Sequence, residues 1–440
     1  MRKNCDYKKG ASSQLEYWPI ISSLVLAFYF AILYFPPLTA ILPSNYVCLG
    51  CFVVWLILSV INDVSYYLNM KPFVLVAIVF YAFTIIIPFI CGYRVIANRY
   101  ASLILIPFGY MIYDYYKTHG CENYLKKVLL VSAAFATITA LNTYKELINN
   151  PYIARSIKSS GEHSTRLAAR GIGGYIFVYS VAALAPLLLY IFLKSKKKTV
   201  KAISLTAYIF SIVLITKSNY LTAFLLVVIT SAVVLCGYIL SRGERLMLYI
   251  PLIIVSVLLL TIFYDPIFSF IQNNIPERIS KVLFNTSGHS MSKSISQEFI
   301  YDRLPSIINS LTAVFKNPIF GILGAGGIGV SGNFLTGFGQ HSYVLDTFAL
   351  FGIIIGVIPL ILLMQLFRRK GKWITKDFYL SIAMMTSIFF IYIMNNVTDA
   401  IAIVFTMVFP LVRDYYTENT KVERTQKNLK KGSGLNLYDS

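Results

Sequence analysis

The stretch GIGGYIFVYSVAALAPLLLYIFLKSKKK, residues 171–198, decides the fold class of this chain. From Gly171 to Leu193 it has no Asp, Glu, Lys, Arg or His. A helix needs about 20 apolar residues to cross the ~30 Å hydrocarbon layer of a bilayer, and this run is long enough. Lys194, Lys196, Lys197 and Lys198 then close it. An apolar block ended by lysines reads as a transmembrane helix stopped at its cytoplasmic boundary.

Outward from this block the pattern repeats. Comparable apolar runs lie near 18–36, 41–61, 72–91, 95–113, 125–143, 200–216, 219–240, 247–264, 341–367, 378–394 and 397–412. Lys217-Ser218-Asn219 must then be a very tight turn between two spans. Composition agrees: hydrophobic residues make up 57% of the chain and charged residues 13%, with mean hydropathy +0.67. Soluble domains are about a quarter charged, so this chain cannot clothe a water-facing surface of its size. The expected fold class is all-α: a polytopic membrane protein of about a dozen transmembrane helices. The first span follows Met1–Tyr17 without a small-residue cleavage pattern, so it is expected to stay uncleaved.

The basic residues set the orientation. Arg2, Lys3, Lys8 and Lys9 precede the first span; Lys194–Lys201 follow the sixth; Arg242 and Arg245 follow the eighth; Arg368–Lys376 follow the tenth. The tail adds Arg413, Lys421, Arg424, Lys427, Lys430 and Lys431. With both termini cytoplasmic, all of these fall on one side, as the positive-inside rule requires. The net charge of +20 therefore reports membrane orientation, and nucleic acid is not an expected partner. Residues 1–416 form the transmembrane domain, and 417–440 read as a disordered, basic cytoplasmic tail. Segment 265–340 is the one long loop, and it faces outside. A loop of roughly 75 residues is usually functional. Within it, Phe299–Phe315 carries Ile300, Leu304, Ile307, Ile308, Leu311 and Phe315 at helical spacing. This amphipathic helix is expected to lie along the outer membrane interface.

Some arginines and lysines run against the orientation bias and cluster outside. Arg155, Lys158, Arg166 and Arg170 occupy 144–170; Arg278, Lys281, Lys293 and Arg303 occupy the long loop; Arg94 and Arg99 form a third group. The planar guanidinium fork matches phosphate oxygens, so an anionic ligand is the functional reading. Interface snorkelling is the bland one. Of four histidines, His119 is cytoplasmic and expected to be inert. His163 and His289 lie in outer loops and read as solvated. His341 stands at the outer mouth of the 341–367 span, directly after a run of glycines that includes Gly324, Gly326 and Gly339. A neutral imidazole there suits a general base. Asp346 and Asp399 lie deeper, where a carboxylate costs about 2.5–3.5 kcal/mol to insert and so takes a partner or a cavity. Asp346 is expected to pair with an arginine, to orient a substrate hydroxyl, or to serve a helix-packing hydrogen bond. No P-loop, H-E-x-x-H or outward D-x-D occurs, so neither a metal nor another cofactor is expected. The Cys48-x-x-Cys51 pair sits inside a predicted span and reads as small buried residues.

The run His341-Ser-Tyr-Val-Leu345-Asp346 with Gly352 resembles the H-[NS]-x-x-L…G signature of the Wzy/O-antigen ligase family. Pro318-Ile-Phe-Gly321 through Gly324-Ala-Gly326 resembles that family's P-x-x-G-x-G approach, with Arg303 ahead of it and Arg166 and Arg170 before the sixth span. Departures are visible. Ser342 and Leu350 stand where ligases usually carry Asn and Glu, and Ser218-Asn219 stands where many members carry Ser-Arg. The first two lean toward polymerase over ligase. The resemblance implies a GT-C-like glycosyltransferase of the bacterial plasma membrane. It would join undecaprenyl-diphosphate-linked oligosaccharide repeats into O-antigen, capsule or another surface glycan, inverting and without a metal. It implies His341 and Arg303 as catalytic, Arg155, Arg166 and Arg170 as diphosphate contacts, and Asp346, Asp399, Gly324 and Gly326 as supporting residues. Membrane lipid, a chain-length regulator and a flippase are the implied partners. The alternatives are a ligase acting on a lipid or protein acceptor and a transporter or flippase of lipid-linked sugars.

Overall fold

The computed structural model describes residues 17–42, 44–69, 105–157, 162–241, 304–324, 342–367, 378–394 and 399–417. The spans expected over 72–91 and 247–264, most of the long loop, and the tail lie outside these residues. Among the described residues the chain is helical and contains no strand.

Five helices are long and apolar enough to cross a membrane: Glu122–Asn149, Tyr175–Lys194, Lys198–Lys217, Leu221–Leu240 and Ala400–Thr417. Shorter apolar helices include Trp18–Tyr34, Tyr46–Asn62 and Phe378–Ile393. Tyr175–Lys194 is the hub. It packs against Lys198–Lys217, Leu221–Leu240, Phe378–Met394 and Asp399–Ile403, and its Ala182, Ala183 and Ala185 are fully buried. Small side chains let neighbouring backbones approach, which is how helices associate where lipid removes the hydrophobic drive between them. Buried hydroxyls fold back onto their own helix: Ser132, Thr143 and Thr230 each donate to the carbonyl four residues earlier, at 2.8, 2.6 and 2.7 Å.

The last helix carries a π turn at Val404–Val408, closed by the Phe409 amide donating to the Val404 carbonyl. Pro410 follows directly and has no amide hydrogen to continue the ordinary ladder, so the wider turn meets the proline. Gly109 lies against this turn; a methyl group there would come within 2.9 Å of Thr406 Cβ.

Two ends of the bundle are distinguishable. At one end, Pro36–Ile41 packs on Glu162–Ala169, Thr139 Oγ1 donates to the Tyr34 carbonyl at 2.7 Å, and the Gly173 amide donates to Thr143 Oγ1 at 2.7 Å. Gly171, at φ +78°, turns the chain against Asn142, whose Nδ2 lies 2.7 Å from where a Cβ would stand. At the other end, Asp63 caps Val64–Leu68 by accepting the Tyr66 amide at 3.1 Å and meets His119 Nε2 at 3.0 Å. Burial opposes ionisation of Asp63, but hydrogen bonds from Ser65, His119 and the Tyr66 amide outweigh it and hold the carboxyl below its ordinary value. His119 is stacked on Tyr115 at 4.1 Å, so this histidine ties helices together. Lys194 lies over the rings of Tyr190, Tyr238 and Tyr379 at 5.7–6.0 Å.

Several boundaries differ from the sequence expectation: the helices expected to end at 113 and 412 run on to Thr118 and Thr417, and the span expected over 18–36 breaks at Phe35. The helix expected over 125–143 runs from Glu122 to Asn149, because Lys145 and Glu146 continue it past the apolar block. The span expected as one piece over 341–367 is broken: Gly352 sits at φ 73°, ψ −179° within Tyr343–Phe367. Hydropathy cannot see this break, because the apolar run continues on both sides of it.

Candidate functional site

The two parts of the glycine signature, Pro318–Gly321 and Gly352, meet. The chain leaves Leu304–Lys316 through a turn in which the Gly321 amide donates to the Asn317 carbonyl at 3.0 Å. Gly321, at φ +67°, then presses on Leu350 and Gly352 so closely that a Cβ would stand 2.5 Å from the Gly352 nitrogen. Gly352 reciprocates against Ile319 and Phe320. The Ile353 amide, released by the break in the helix, donates to the Pro318 carbonyl at 2.8 Å. Only glycine at both positions permits this backbone-to-backbone approach.

A side-chain bond joins the same two segments. Ser310 Oγ donates to Asp346 Oδ1 at 2.6 Å, with both residues buried. Of the three expectations for Asp346, the structure contains the helix-packing bond. Tyr343 adds an edge contact to Tyr392, ring centroids 4.5 Å apart, which fixes the start of this helix against Phe378–Met394. A hydrogen bond to a carboxylate contributes about 1.5–3 kcal/mol. Ser310→Ala should therefore lower the stability of the purified protein by about that amount, read as a lower midpoint in thermal unfolding, while Ser310→Thr, which keeps the hydroxyl, should lose less.

The arginines do not form one cluster. Arg155, on the short helix Ile153–Ser156, donates through Nη2 to the Asn219 carbonyl at 2.7 Å, and its guanidinium lies 4.8 Å over the Tyr220 ring. It is thus held at the tight turn between Lys198–Lys217 and Leu221–Leu240. Arg166 pairs with Glu162 at 2.8 Å, both strongly exposed. Such a pair contributes little to stability and leaves the arginine solvated. Arg170 pairs with Glu146 on the neighbouring long helix. Arg303, His341 and Gly326 lie outside the described residues. Gly324 ends the short helix Gly321–Gly324, and Asp399 begins Asp399–Ile403. His163 is exposed on Glu162–Ala169.

One polar residue, which the sequence marks only as part of a tight turn and as a departure from the family pattern, stands out. Asn219 is fully buried, takes φ 55°, and neither Nδ2 nor Oδ1 makes a hydrogen bond. The left-handed backbone is legible in retrospect, since Asn tolerates it better than most residues in a turn this tight. The unmet amide is not, because it depends on what surrounds it. A buried polar group without a partner costs about 1–3 kcal/mol and calls for a reason. Arg155, Asn219 and Tyr220 together make a cationic, amide-bearing and aromatic spot at one end of the bundle. Comparison with protein-family models, curated proteins and solved structures finds no match for this chain.

Proposed function

We propose that this protein is a membrane glycosyltransferase that polymerises polyprenyl-diphosphate-linked oligosaccharide repeats at the outer face of the bacterial plasma membrane. In this reading about a dozen spans form a GT-C-like fold, both termini are cytoplasmic, and the end bearing Arg155, Gly171–Gly174 and the 317–321 turn faces outward. The growing chain passes from its diphosphate to a hydroxyl of the incoming repeat. The anomeric C–O bond to the diphosphate breaks as the new glycosidic bond forms on the opposite face. The hydroxyl proton goes to His341, and Arg303 stabilises the departing diphosphate.

The observation that carries the reading is the placement of Arg155. The family signature implies an arginine after the tight turn, where this chain has Asn219. Arg155 reaches the same turn from another helix. Beside it, the Asn219 amide is buried without a hydrogen-bond partner. Of the three arginines implied as diphosphate contacts, Arg166 and Arg170 each pair with a carboxylate, and Arg155 is the one held at this turn. Docking of the 317–321 turn on Gly352 further supports one site built from the long loop and the span.

The test is His341→Ala and Arg303→Ala in a cell that makes the glycan, with membrane insertion checked and surface glycan resolved as a ladder. Removing one transition-state donor costs about 100-fold or more in rate, so the ladder should collapse to a single repeat. If single repeats also disappear from the surface, a ligase or flippase replaces this proposal. An unchanged ladder would remove both residues from the mechanism.

A further inference from the structure

The helix Leu304–Lys316 has three distinct sides. Ser310 and Ala313 are buried, at 1% and 6% exposure, against the Tyr343–Phe367 segment. Asn309, Thr312 and Lys316 form a polar exposed side. Ile308, Leu311 and Phe315 form an apolar exposed side, with Phe315 79% accessible. The apolar side does not stop at the helix end. Ile319 and Phe320 in the following turn are also exposed, and the turn abuts Gly352 and Ile353. Ile353, Ile354, Val357 and Ile361 continue the exposed apolar surface along the rest of the broken span.

Depth follows from length. The half of the span after the break, 353–367, is about 22 Å long at 1.5 Å per residue. It ends against Arg368-Arg369-Lys370, charges that stay at a membrane boundary. The hydrocarbon layer is about 30 Å thick. Gly352 therefore lies about 8 Å below the opposite boundary, and deeper if the helix tilts. The 317–321 turn touches Gly352, so it lies at that depth too. Part of its backbone meets the requirement of that environment: the Pro318 carbonyl and Ile353 amide satisfy each other, proline has no amide hydrogen to satisfy, and the Gly321 amide is bonded to the Asn317 carbonyl.

We infer that residues 304–321 are a re-entrant wedge seated in the outer leaflet, with Ile308, Leu311, Phe315, Ile319 and Phe320 in contact with the acyl chains of that leaflet. Its polar side, Asn309, Thr312 and Lys316, faces headgroups and water, and Lys316 reaches up along its aliphatic stem. The wedge forms the lipid-side wall of the place where the loop meets the span. The inference rests on the membrane orientation of the preceding reading and not on glycosyl transfer.

The test is spin-label depth measurement on the full chain in bilayer nanodiscs, with native cysteines replaced and single labels at Phe315→Cys, Phe320→Cys and Asn309→Cys. The oxygen-to-nickel-chelate accessibility ratio should be several-fold higher at Phe315 and Phe320 than at Asn309. Equal nickel accessibility at all three overturns the wedge. Should cysteine replacement unfold the protein, Phe320→Trp in the native background is read instead, with bromine placed on the acyl chains. Quenching of the added emission supports lipid contact, and unquenched emission overturns it. Neither readout involves glycan, so the wedge and the glycosyl-transfer reading fail separately.

Discussion

Gly352→Ala should leave little correctly folded protein. The residue sits at φ 73°, ψ −179°, a region essentially reserved for glycine, which costs other residues about 1–3 kcal/mol. A methyl group there would also overlap the Ile319 carbonyl and stand 2.6 Å from the Phe320 nitrogen. Both neighbours are backbone, so no rotamer change relieves the contact. Overpacking of this kind adds about 1–3 kcal/mol. The combined loss, about 2–6 kcal/mol, is comparable with the stability of many whole domains. The measurement is the monodisperse fraction of a fluorescent fusion on size exclusion, followed by thermal unfolding. Gly321→Ala should behave alike, because its φ is +67° and its neighbours are again backbone. Gly50→Ala is the control. Gly50 lies inside Ser44–Asn62 with nothing within 4 Å of a Cβ, so alanine there should gain about 0.5–1 kcal/mol. A Gly352 variant as stable as the Gly50 variant would mean that the close approach of turn and span is wrong.

Asp414→Ala should produce a comparable loss at the other end of the bundle. Asp414 is 6% exposed and its neighbour Arg413 5%. The Asp414 carboxylate accepts from Tyr113 Oη at 2.6 Å and from Arg413 Nε at 3.2 Å, and it pairs with Lys117. These contacts bind the last helix to Leu105–Thr118, which are far apart in sequence. Removing the carboxylate leaves the Arg413 charge buried without it. Breaking a buried pair from one side costs about 3–5 kcal/mol, much of it the desolvation of the stranded charge. Lys117 is one-third exposed and can turn to solvent, so Arg413 carries most of the penalty. The check is a double-mutant cycle by thermal unfolding in nanodiscs. Arg413→Met alone should also destabilise, and Asp414→Ala with Arg413→Met should cost less than the sum of the two. Strict additivity would show that the two residues act independently.

The membrane character and the positions of most described helices were legible because they are local properties. An apolar run of bilayer length can do little else than span, whatever surrounds it. Tyr175–Lys194, Leu221–Leu240 and Phe378–Met394 each fall within a few residues of the block read from hydropathy. Helix ends that continue on polar residues were less legible: Lys145 and Glu146 extend one helix to Asn149, and Glu146 then becomes the partner of Arg170. The candidate site was legible as a set of residue types and not as an arrangement. Arginine clusters outside the orientation rule stood out in the sequence, yet Arg155, Arg166 and Arg170 take separate partners.

By itself the sequence determined that this chain needs lipid around it, that its helices are set by hydrocarbon length, and that glycines, arginines and one histidine gather in the segments between them. Tertiary structure alone decided that Gly321 meets Gly352, that Ser310 takes Asp346, that Arg155 crosses to Asn219, and that the 304–316 helix turns its apolar side away from the protein. The physical reason is that spanning depends on the composition of one contiguous run, whereas each of these contacts depends on two segments distant in sequence being brought within a few ångströms, and no property of either segment alone specifies its partner.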